Sequence, residues 1–259
     1  MQRLESKPMT IQSAELLGSH IDAISWEQAG TKIMQWAIEG RSRVVCACNV
    51  HTLINARTDP DLAKAIASAD MRTPDGAPVA WLMRKLGWPE QQRISGPDLM
   101  WYLLEEAQRL DIPVFLLGST HSTLDQLSIQ LRSSFPQLIL SGIFSPPFRP
   151  MDQQEDDELR QAILDSGAKV VFVGLGCPKQ EKWMAAHRVN LPVVMIGVGA
   201  AFDYHAGTLA RAPASWQHVG LEWLYRLAME PVRLCGRYLV TNTLFLLSLP
   251  GQLWKRTGL

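Results

Sequence analysis

The sequence predicts an α/β fold with a mostly parallel sheet covered by helices on both faces, followed by a basic and aromatic C-terminal segment. Short apolar runs typical of strands alternate with amphipathic helical stretches, and several of the runs end in glycine. Hydrophobic residues make up 47% of the 259 positions, which suffices for a buried core. A net charge of zero argues against a protein that mainly neutralises nucleic-acid phosphates, so no nucleic-acid partner is expected.

The strands and helices are expected at regular intervals along the chain. Strand-like runs occupy residues 44–47, 114–117, 138–140, 170–173 and 193–196. Helical patterns occupy residues 62–69, 79–86, 98–110, 122–133, 158–164 and 178–189. The acidic run 152–158 is expected to open a solvated helix, because carboxylates are favoured at helix N-termini. We divide the chain into a body over residues 1–206 and an appendage over residues 207–259.

The predicted appendage differs from the body in charge. It carries six basic and two acidic side chains, whereas residues 1–206 carry 19 basic and 23 acidic ones. Basic residues among aromatics and leucines fit a segment lying on an anionic membrane surface, and the alternative is a final amphipathic helix packed on the body. Arg226, Arg233 and Arg237 share one helix face only if the helix bends at Pro231 instead of ending there. The apolar stretch 238–249 is too short to cross a bilayer.

Several other classes of protein are disfavoured. Four cysteines without metal-ligand spacing predict reduced thiols in a cytosolic protein, and the first 20 residues lack the apolar run of a signal peptide. Gly174-Leu-Gly176 begins like a dinucleotide fingerprint, but Lys179 stands where its third glycine belongs, so a nicotinamide oxidoreductase is poorly supported. Asp59-Pro-Asp61 matches a metal-binding pattern of sugar transferases, yet Asp59 before a proline indicates a helix cap. We expect no metal and no cofactor.

The ends of the predicted strands are the candidate ligand site, because ligands of parallel sheets bind beyond the carboxyl ends of the strands. Three strands run into glycine, at Gly118, Gly174 and Gly197. Glycine lets backbone approach a ligand closely, and the free N–H groups of a following helix would face a diphosphate. Plain turn chemistry is the alternative explanation for these glycines.

Two polar motifs lie at similar junctions. Thr73-Pro-Asp75-Gly76 indicates a turn, because proline, aspartate and glycine suit successive turn positions. Yet it leads into an apolar helix where an α/β site is expected, and a carboxylate there could act as a general base. Asn49 and His51 follow the strand 44–47 in the same way, although a lone histidine is more often structural.

Taken together, seven blocks between about residue 44 and residue 243 resemble the WecG/TagA/CpsF glycosyltransferase family (glycosyltransferase family 26). They occur in the family's order: NVHT at 49–52, TPDG at 73–76, RISGPD at 93–98, VGLGCPKQEKW at 173–183, GVGAAFD at 197–203, RAP at 211–213 and GLEWLYR at 220–226. There are departures from the family pattern. Ala47 stands where many members have threonine, and Val232, Cys235 and Gly236 stand where many have arginine or tryptophan.

The resemblance implies an inverting, metal-independent transferase of bacterial cell-surface polysaccharide synthesis. It also implies a Rossmann-like catalytic domain over residues 1–206 and a membrane-associating helical appendage over residues 207–259. The enzyme would move N-acetylmannosamine, its uronic acid or glucose from a UDP donor to a sugar carried on a polyprenyl diphosphate. It would be a cytoplasmic protein held peripherally on the inner face of the cell membrane by its appendage. A non-catalytic sugar-nucleotide-binding subunit of a polysaccharide assembly complex is the alternative, and exposed Trp, Leu and Met side chains would suit a homo-oligomer.

The resemblance also assigns roles to positions of this sequence. Asp75 matches the proposed catalytic base. The candidate substrate-binding residues are Asn49, His51, Thr52, Gly76, Arg93, Gly174, Gly176, Lys179, Gln180, Gly199 and Asp203. The basic residues expected to meet the lipid diphosphate or the membrane are Arg211, Arg226, Arg233 and Arg237.

Overall fold

The computed structural model describes residues 11–218 and 220–254. Lys255 and Arg256, two of the basic residues of the predicted appendage, lie outside the described residues, as do the first ten residues of the chain. Strands β1 (Gln12–Leu16) and β2 (Ser19–Ala23) form an antiparallel hairpin. Leu17 and Gly18 at its turn have φ values of 54° and 88°, the left-handed backbone that a two-residue hairpin turn requires.

A six-stranded parallel sheet forms the centre of the protein, as the sequence predicts. Its strands are β3 (Arg43–Cys48), β4 (Met71–Pro74), β5 (Val114–Gly118), β6 (Leu140–Phe144), β7 (Val170–Gly174) and β8 (Val194–Gly197). They lie in the order β4-β3-β8-β7-β5-β6, and every neighbouring pair is parallel. The hairpin attaches at the β4 edge, where the Arg72 backbone N–H donates to Asp22 over 2.7 Å.

Four of the five predicted strands are confirmed to within one residue at each end. The run 138–140 is the exception, because β6 begins where that run ends. The sequence does not predict β4, because this strand has only four residues and ends at Pro74, which belongs to a pattern typical of a turn. β4 pairs with β3 with Cys48 and Pro74 in register, and the Asp75 N–H extends the pairing by donating to the Cys48 carbonyl at 3.0 Å.

Helices cover both faces of the sheet because strand side chains alternate in direction. In β7, Val170 and Phe172 enter one buried core, whereas Val171 and Val173 enter the other. The first core is closed by α1 (Trp26–Glu39), α5 (Gly96–Arg109), α6 (His121–Ser134) and α9 (Ala201–His205). The second is closed by α2 (Val50–Ala56), α3 (Pro60–Ser68), α4 (Ala77–Lys85), α7 (Gln153–Asp165) and α8 (Lys179–His187).

The six predicted helical stretches are confirmed as α3 to α8. The predicted cap at Asp59 and the predicted helix start at the acidic run 152–158 are also confirmed. The Asp59 side chain accepts from the backbone N–H groups of Asp61 and Leu62 at the start of α3, and it also pairs with Lys182 at 2.7 Å. Asp152 caps α7, where its carboxylate accepts from the Glu155 N–H at 2.9 Å.

The C-terminal part consists of α10 (Ala214–His218), α11 (Glu222–Met229) and α12 (Pro231–Trp254). The three arginines could share one helix face only if a single helix bent at Pro231. Instead, α11 ends at Met229 and a new helix, α12, begins at Pro231. Arg226 therefore lies on a different helix from Arg233 and Arg237.

Helix α12 packs lengthwise on the body and buries Leu234, Thr241 and Phe245. Near its end, Gln252 accepts from the Leu17 N–H at 3.0 Å and donates to the Glu15 carbonyl at 2.7 Å. No helix among the described residues is long and apolar enough to span a membrane. The domain boundary at residue 207 stays a prediction.

The close approach of β5 and β7 at their ends can be tested at Gly118. A Cβ atom there would lie 2.5 Å from the Gly174 carbonyl oxygen, and its φ of 133° disfavours any L side chain. We expect Gly118→Ala to lower the free energy of unfolding by about 3 kcal/mol, measured by denaturant unfolding. Gly167→Ala is the matched control, because its φ is also positive and a Cβ there meets no atom within 4 Å. Equal losses in the two variants would contradict the steric account.

Candidate active site

The loops that carry the candidate residues meet at one edge of the sheet. Because all six strands are parallel, the segments following β3, β4, β5, β7 and β8 emerge together at the carboxyl edge. Because β3 lies between β4 and β8 in the sheet, the segment after β3 lies between the segments that follow β4 and β8. The structure thus brings together Asn49, Asp75, Gly76, Gly174, Gly176 and Gly199.

Asn49 and Asp75 form the polar centre of this edge. Asn49 caps α2, and its Oδ1 accepts from the Thr52 backbone N–H at 3.1 Å and the Thr52 hydroxyl at 3.2 Å. These bonds orient the amide so that Nδ2 donates to Asp75 Oδ2 at 3.3 Å. Gly76 follows with a φ of 86° and begins α4 without a side-chain cap. Thr52 is buried and holds Asn49 in place.

The Asp75 carboxyl has an altered acidity. Burial raises its pKa to about 6, and the negative charge of Glu222 adds to this rise. The positive charge of Arg93 and the hydrogen bond from Asn49 oppose it. A carboxylate of this pKa is ionised at neutral pH and is a stronger base than an ordinary aspartate, as proton abstraction requires.

His51 lies on the first turn of α2, half-buried beside Asn55 at 3.1 Å. Burial and the nearby positive charge of Arg237 lower its pKa to about 4. The imidazole is therefore neutral at pH 7 and can offer one donor and one acceptor. Helix α12, which carries Arg237, packs against α2, the helix of His51.

The glycine loops after β7 and β8 are tied to each other by Gln180. Its Oε1 accepts from the backbone N–H groups of Gly176 at 3.2 Å and Gly199 at 3.1 Å. Its Nε2 donates to Glu181 at 2.8 Å, and both side chains are buried. In this arrangement the two glycine N–H groups face Gln180. Lys179, one position earlier, is exposed at the start of α8.

Glu181 was missed by the sequence reasoning, which noted it only as part of a motif. It has no exposed surface, and burial raises its pKa against the hydrogen bonds from Gln180 and Cys177. Burial also raises the pKa of Cys177 to about 12, so that thiol stays protonated. The only signal in the sequence was a glutamate next to a motif glutamine.

Asp203 lies near the end of β5. Its carboxylate accepts from the Ser119 hydroxyl at 3.2 Å, and its backbone carbonyl accepts from the Leu209 N–H at 3.1 Å. Asp203 thus joins the loop after β5 to α9 and to the segment leading into the appendage. The structure places it apart from the Asn49–Asp75 pair, on the β5 side of the sheet.

Arg93 forms a network between the body and the appendage. Its guanidinium pairs with Glu222 at 2.7 Å and Asp98 at 2.9 Å, and it donates to Gln217 at 3.1 Å. Arg211 binds both oxygens of Asp98, at 2.6 and 2.7 Å. Although burial opposes ionisation, the hydrogen bonds from Arg211 and Ser95 hold the pKa of Asp98 below its ordinary value. The sequence did not identify Asp98 and Glu222 as the partners of these arginines.

The remaining arginines fall into two groups. Arg226 is half-buried with its guanidinium 5.7 Å from the centre of the Tyr204 ring, and Arg211 lies 6.0 Å from the same ring. Among the described residues, Arg226 Nε and the Tyr204 hydroxyl are buried without a hydrogen-bond partner. Arg233 and Arg237 are exposed on α12, and Arg233 pairs with Glu230 at 2.9 Å. The first pair faces the body, and the second faces solvent.

Comparison with known protein families agrees with this architecture. The model of the family described as "Glycosyl transferase WecG/TagA/CpsF family" matches residues 14–258, nearly the whole chain. The chain therefore belongs to the WecG/TagA/CpsF glycosyltransferase family, and it is a transferase of the kind used in cell-surface polysaccharide synthesis.

The tie between the two glycine loops can be tested at Gln180. Gln180→Met keeps the length of the side chain but leaves the N–H groups of Gly176 and Gly199 without their acceptor. We expect the free energy of unfolding to fall by about 2–4 kcal/mol, because unsatisfied buried polar groups cost about 1–3 kcal/mol each. Gln161→Met, at an exposed position of α7, is the control and should change it by less than about 0.5 kcal/mol. A Gln180 variant as stable as this control would show that the tie contributes nothing.

Proposed function

We propose that this member of the family transfers N-acetylmannosamine, its uronic acid or glucose from a UDP donor to a hydroxyl of a polyprenyl-diphosphate-linked sugar. The transfer inverts the anomeric configuration and uses Asp75 as the general base. The observation that carries the proposal is the half-buried Asp75, with a pKa of about 6, at the carboxyl edge of the sheet. Open α/β sheets bind their ligands at this edge.

Asp75 fits the chemistry of the transfer step. The acceptor hydroxyl oxygen attacks the anomeric carbon from the side opposite the UDP group. As the new C–O bond forms, Asp75 takes the hydroxyl proton, and the bond from the anomeric carbon to the phosphate oxygen breaks with its electron pair leaving on UDP. Inversion follows because attack and departure occur on opposite faces of the sugar. Asn49, held by Thr52, keeps the Asp75 carboxylate in one orientation.

The leaving diphosphate gains negative charge as the bond breaks, and positioned cations stabilise such charge. Lys179 at the start of α8 and Arg237 on α12 are exposed, and Arg237 acts electrostatically on both His51 and Cys177. Arg226 and Arg211 lie further back, against Tyr204. We assign Lys179 and Arg237 to the donor diphosphate and Arg226 to the diphosphate of the lipid-linked acceptor. His51, Gly174 and Asp203 are proposed to line the sugar-nucleotide pocket.

The outer surface of α12 suits a peripheral membrane contact. Val232, Leu239, Leu246 and Trp254 lie on it and are 62% to 99% exposed. Residues 238–254 contain no charged side chain, while Arg233 and Arg237 precede them. We propose that this apolar face rests on the membrane that holds the acceptor, with Arg233 near the lipid headgroups.

The role of Asp75 can be tested with Asp75→Asn. This change keeps the size of the side chain but removes the base, so transfer from UDP-sugars to a short-chain prenyl-diphosphate sugar should fall by about 100-fold or more. Donor binding, measured by calorimetry, should be retained. Near-normal turnover of the folded variant would return Asp75 to a purely structural role in its turn. Donor binding without any transfer by the unaltered protein would favour a non-catalytic binding subunit.

The raised pKa of Asp75 has two consequences for pH dependence. Transfer requires the ionised carboxylate, so kcat/KM should rise with pH and level off above about 6. The folded-state pKa lies above the unfolded one, so the associated stability is present at acid pH and lost as pH rises through about 6. Asp75→Asn should therefore be at least as stable as the unaltered protein at pH 7.5, as measured by thermal unfolding. A clear loss of Tm would show that the ionised carboxylate stabilises the fold.

The membrane contact can be tested with the double variant Leu239→Glu, Leu246→Glu in the full chain. Two carboxylates on the apolar face should weaken co-sedimentation with anionic lipid vesicles by at least about tenfold, because each leucine contributes roughly 1.5–3 kcal/mol when buried. Ile129→Glu, on an equally exposed apolar side chain of α6, is the control and should bind vesicles normally. Unchanged binding of the double variant would place the membrane contact elsewhere.

A further inference from the structure

Glu222 brings a carboxylate from the appendage into the neighbourhood of the candidate base. It is the first residue of α11, and its Oε2 lies 2.7 Å from Arg93 Nη1. Its side chain is 21% exposed, so the ion pair is largely shielded from water. The charge of Glu222 acts on Asp75 as well as on Tyr204, Arg211, Arg226 and Tyr238. The backbone N–H of Ile94, next to Arg93, donates to the Pro74 carbonyl at 2.9 Å, so the ion pair borders the turn that carries Asp75.

The position of Glu222 is fixed through the fork of Arg93. One guanidinium nitrogen meets Glu222, and the other meets both Asp98 of α5 and Gln217 of α10. Gln217 in turn donates to the Ala212 carbonyl at 2.7 Å. Arg93 thus has acceptors on both sides of the contact. An arginine held by three acceptors in a planar arrangement has little freedom to move.

We propose that Glu222 is a positioning residue of the transfer reaction, which holds Arg93 in place and completes the charge environment of Asp75 from the appendage. The proposal deepens the function above and rests on the assignment of Asp75 as the base. It differs from that assignment because Glu222 acts through Arg93 and through its charge, without contacting the reacting atoms.

The direction of the effect follows from the groups that face Asp75. Asn49 of the α2 cap donates a hydrogen bond, Arg93 contributes a positive charge, and Glu222 and Asp98 contribute negative charges. Removing the charge of Glu222 leaves Arg93 less opposed, so Asp75 releases its proton more easily and its pKa falls. The ionised base is then weaker. The strength of the base consequently depends on α11 being seated on the body.

The test compares variants that alter single charges in the full-length protein. Glu222→Gln keeps an oxygen acceptor for Arg93 but removes the charge, and Glu222→Asp keeps the charge. Arg93→Gln removes the opposing positive charge. Glu230→Gln is the matched control, because Glu230 lies in the same appendage, pairs with Arg233 at 2.9 Å, and is not one of the charges with the largest effect on Asp75. Folding of each variant is checked by thermal unfolding.

Two readouts are used. The first is the pH titration of Asp75 by ¹³C NMR of protein labelled at aspartate carboxyls, with Asp75→Asn identifying the signal. The second is the acidic limb of the kcat/KM profile. Glu222→Gln should move both to lower pH by about half a pH unit or more, and Arg93→Gln should move the NMR titration to higher pH. Glu222→Asp should restore the limb towards its original position, and Glu230→Gln should leave it unchanged.

The outcomes separate this inference from the proposed function. An Asp75 titration that is the same in Glu222→Gln and in the unaltered protein overturns the role of Glu222, whatever the level of transfer. A shift of similar size in Glu230→Gln also overturns it, because the effect would then be a general one of appendage charge. The NMR titration requires no substrate, so it decides the role of Glu222 even if Asp75→Asn retains normal transfer and the base assignment fails.

Discussion

The parallel pairing of β3 with β4 is the constraint on which the candidate site depends. It aligns Cys48 with Pro74, so the next residue of each strand, Asn49 and Asp75, emerges at the same edge. The Asp75 N–H continues the ladder to the Cys48 carbonyl at 3.0 Å, which fixes the backbone of the turn before Gly76 redirects it. A one-residue slip of β4 against β3 would turn the Asp75 side chain away from Asn49. The Asn49–Asp75 hydrogen bond thus follows from strand register.

The Asn49–Asp75 pair is partly buried and is surrounded by ion-paired side chains. Burial raises the pKa of Asp75, and the ion pairs of Arg93 and Arg211 with Asp98 and Glu222 keep four further charges close by. Such a network holds ionised groups only where each has a partner, since an unpaired buried charge is costly. Arg226 is stabilised differently, over the ring of Tyr204. The appendage therefore supplies two of the four charges of this network, Arg211 and Glu222.

The glycine loops show how the same residues admit two explanations. The sequence offered phosphate contact and turn chemistry as alternatives for Gly174, Gly176 and Gly199. In the structure, a Cβ on Gly174 would lie 2.9 Å from the Phe202 ring, and the N–H groups of the other two donate to Gln180. Gly174 therefore has a packing role, whereas Gly176 and Gly199, with φ values of 76° and 59°, have the left-handed backbone that favours glycine. Gln180 and Glu181 hold this surface together.

The sequence by itself determined the parallel α/β sheet, the positions of four of its strands and of α3 to α8, the cap at Asp59, the helix start at the acidic run 152–158, and the family, because these features rest on local periodicity and on ordered motifs. It did not reveal β4, which is too short for a period, or the break between α11 and α12, since a proline can bend a helix or start a new one. Only the tertiary structure decided that Arg93 pairs with Glu222, 129 residues away, and that Gln180 joins two loops. Side-chain partners of that kind are fixed by packing between distant elements, which no local pattern records.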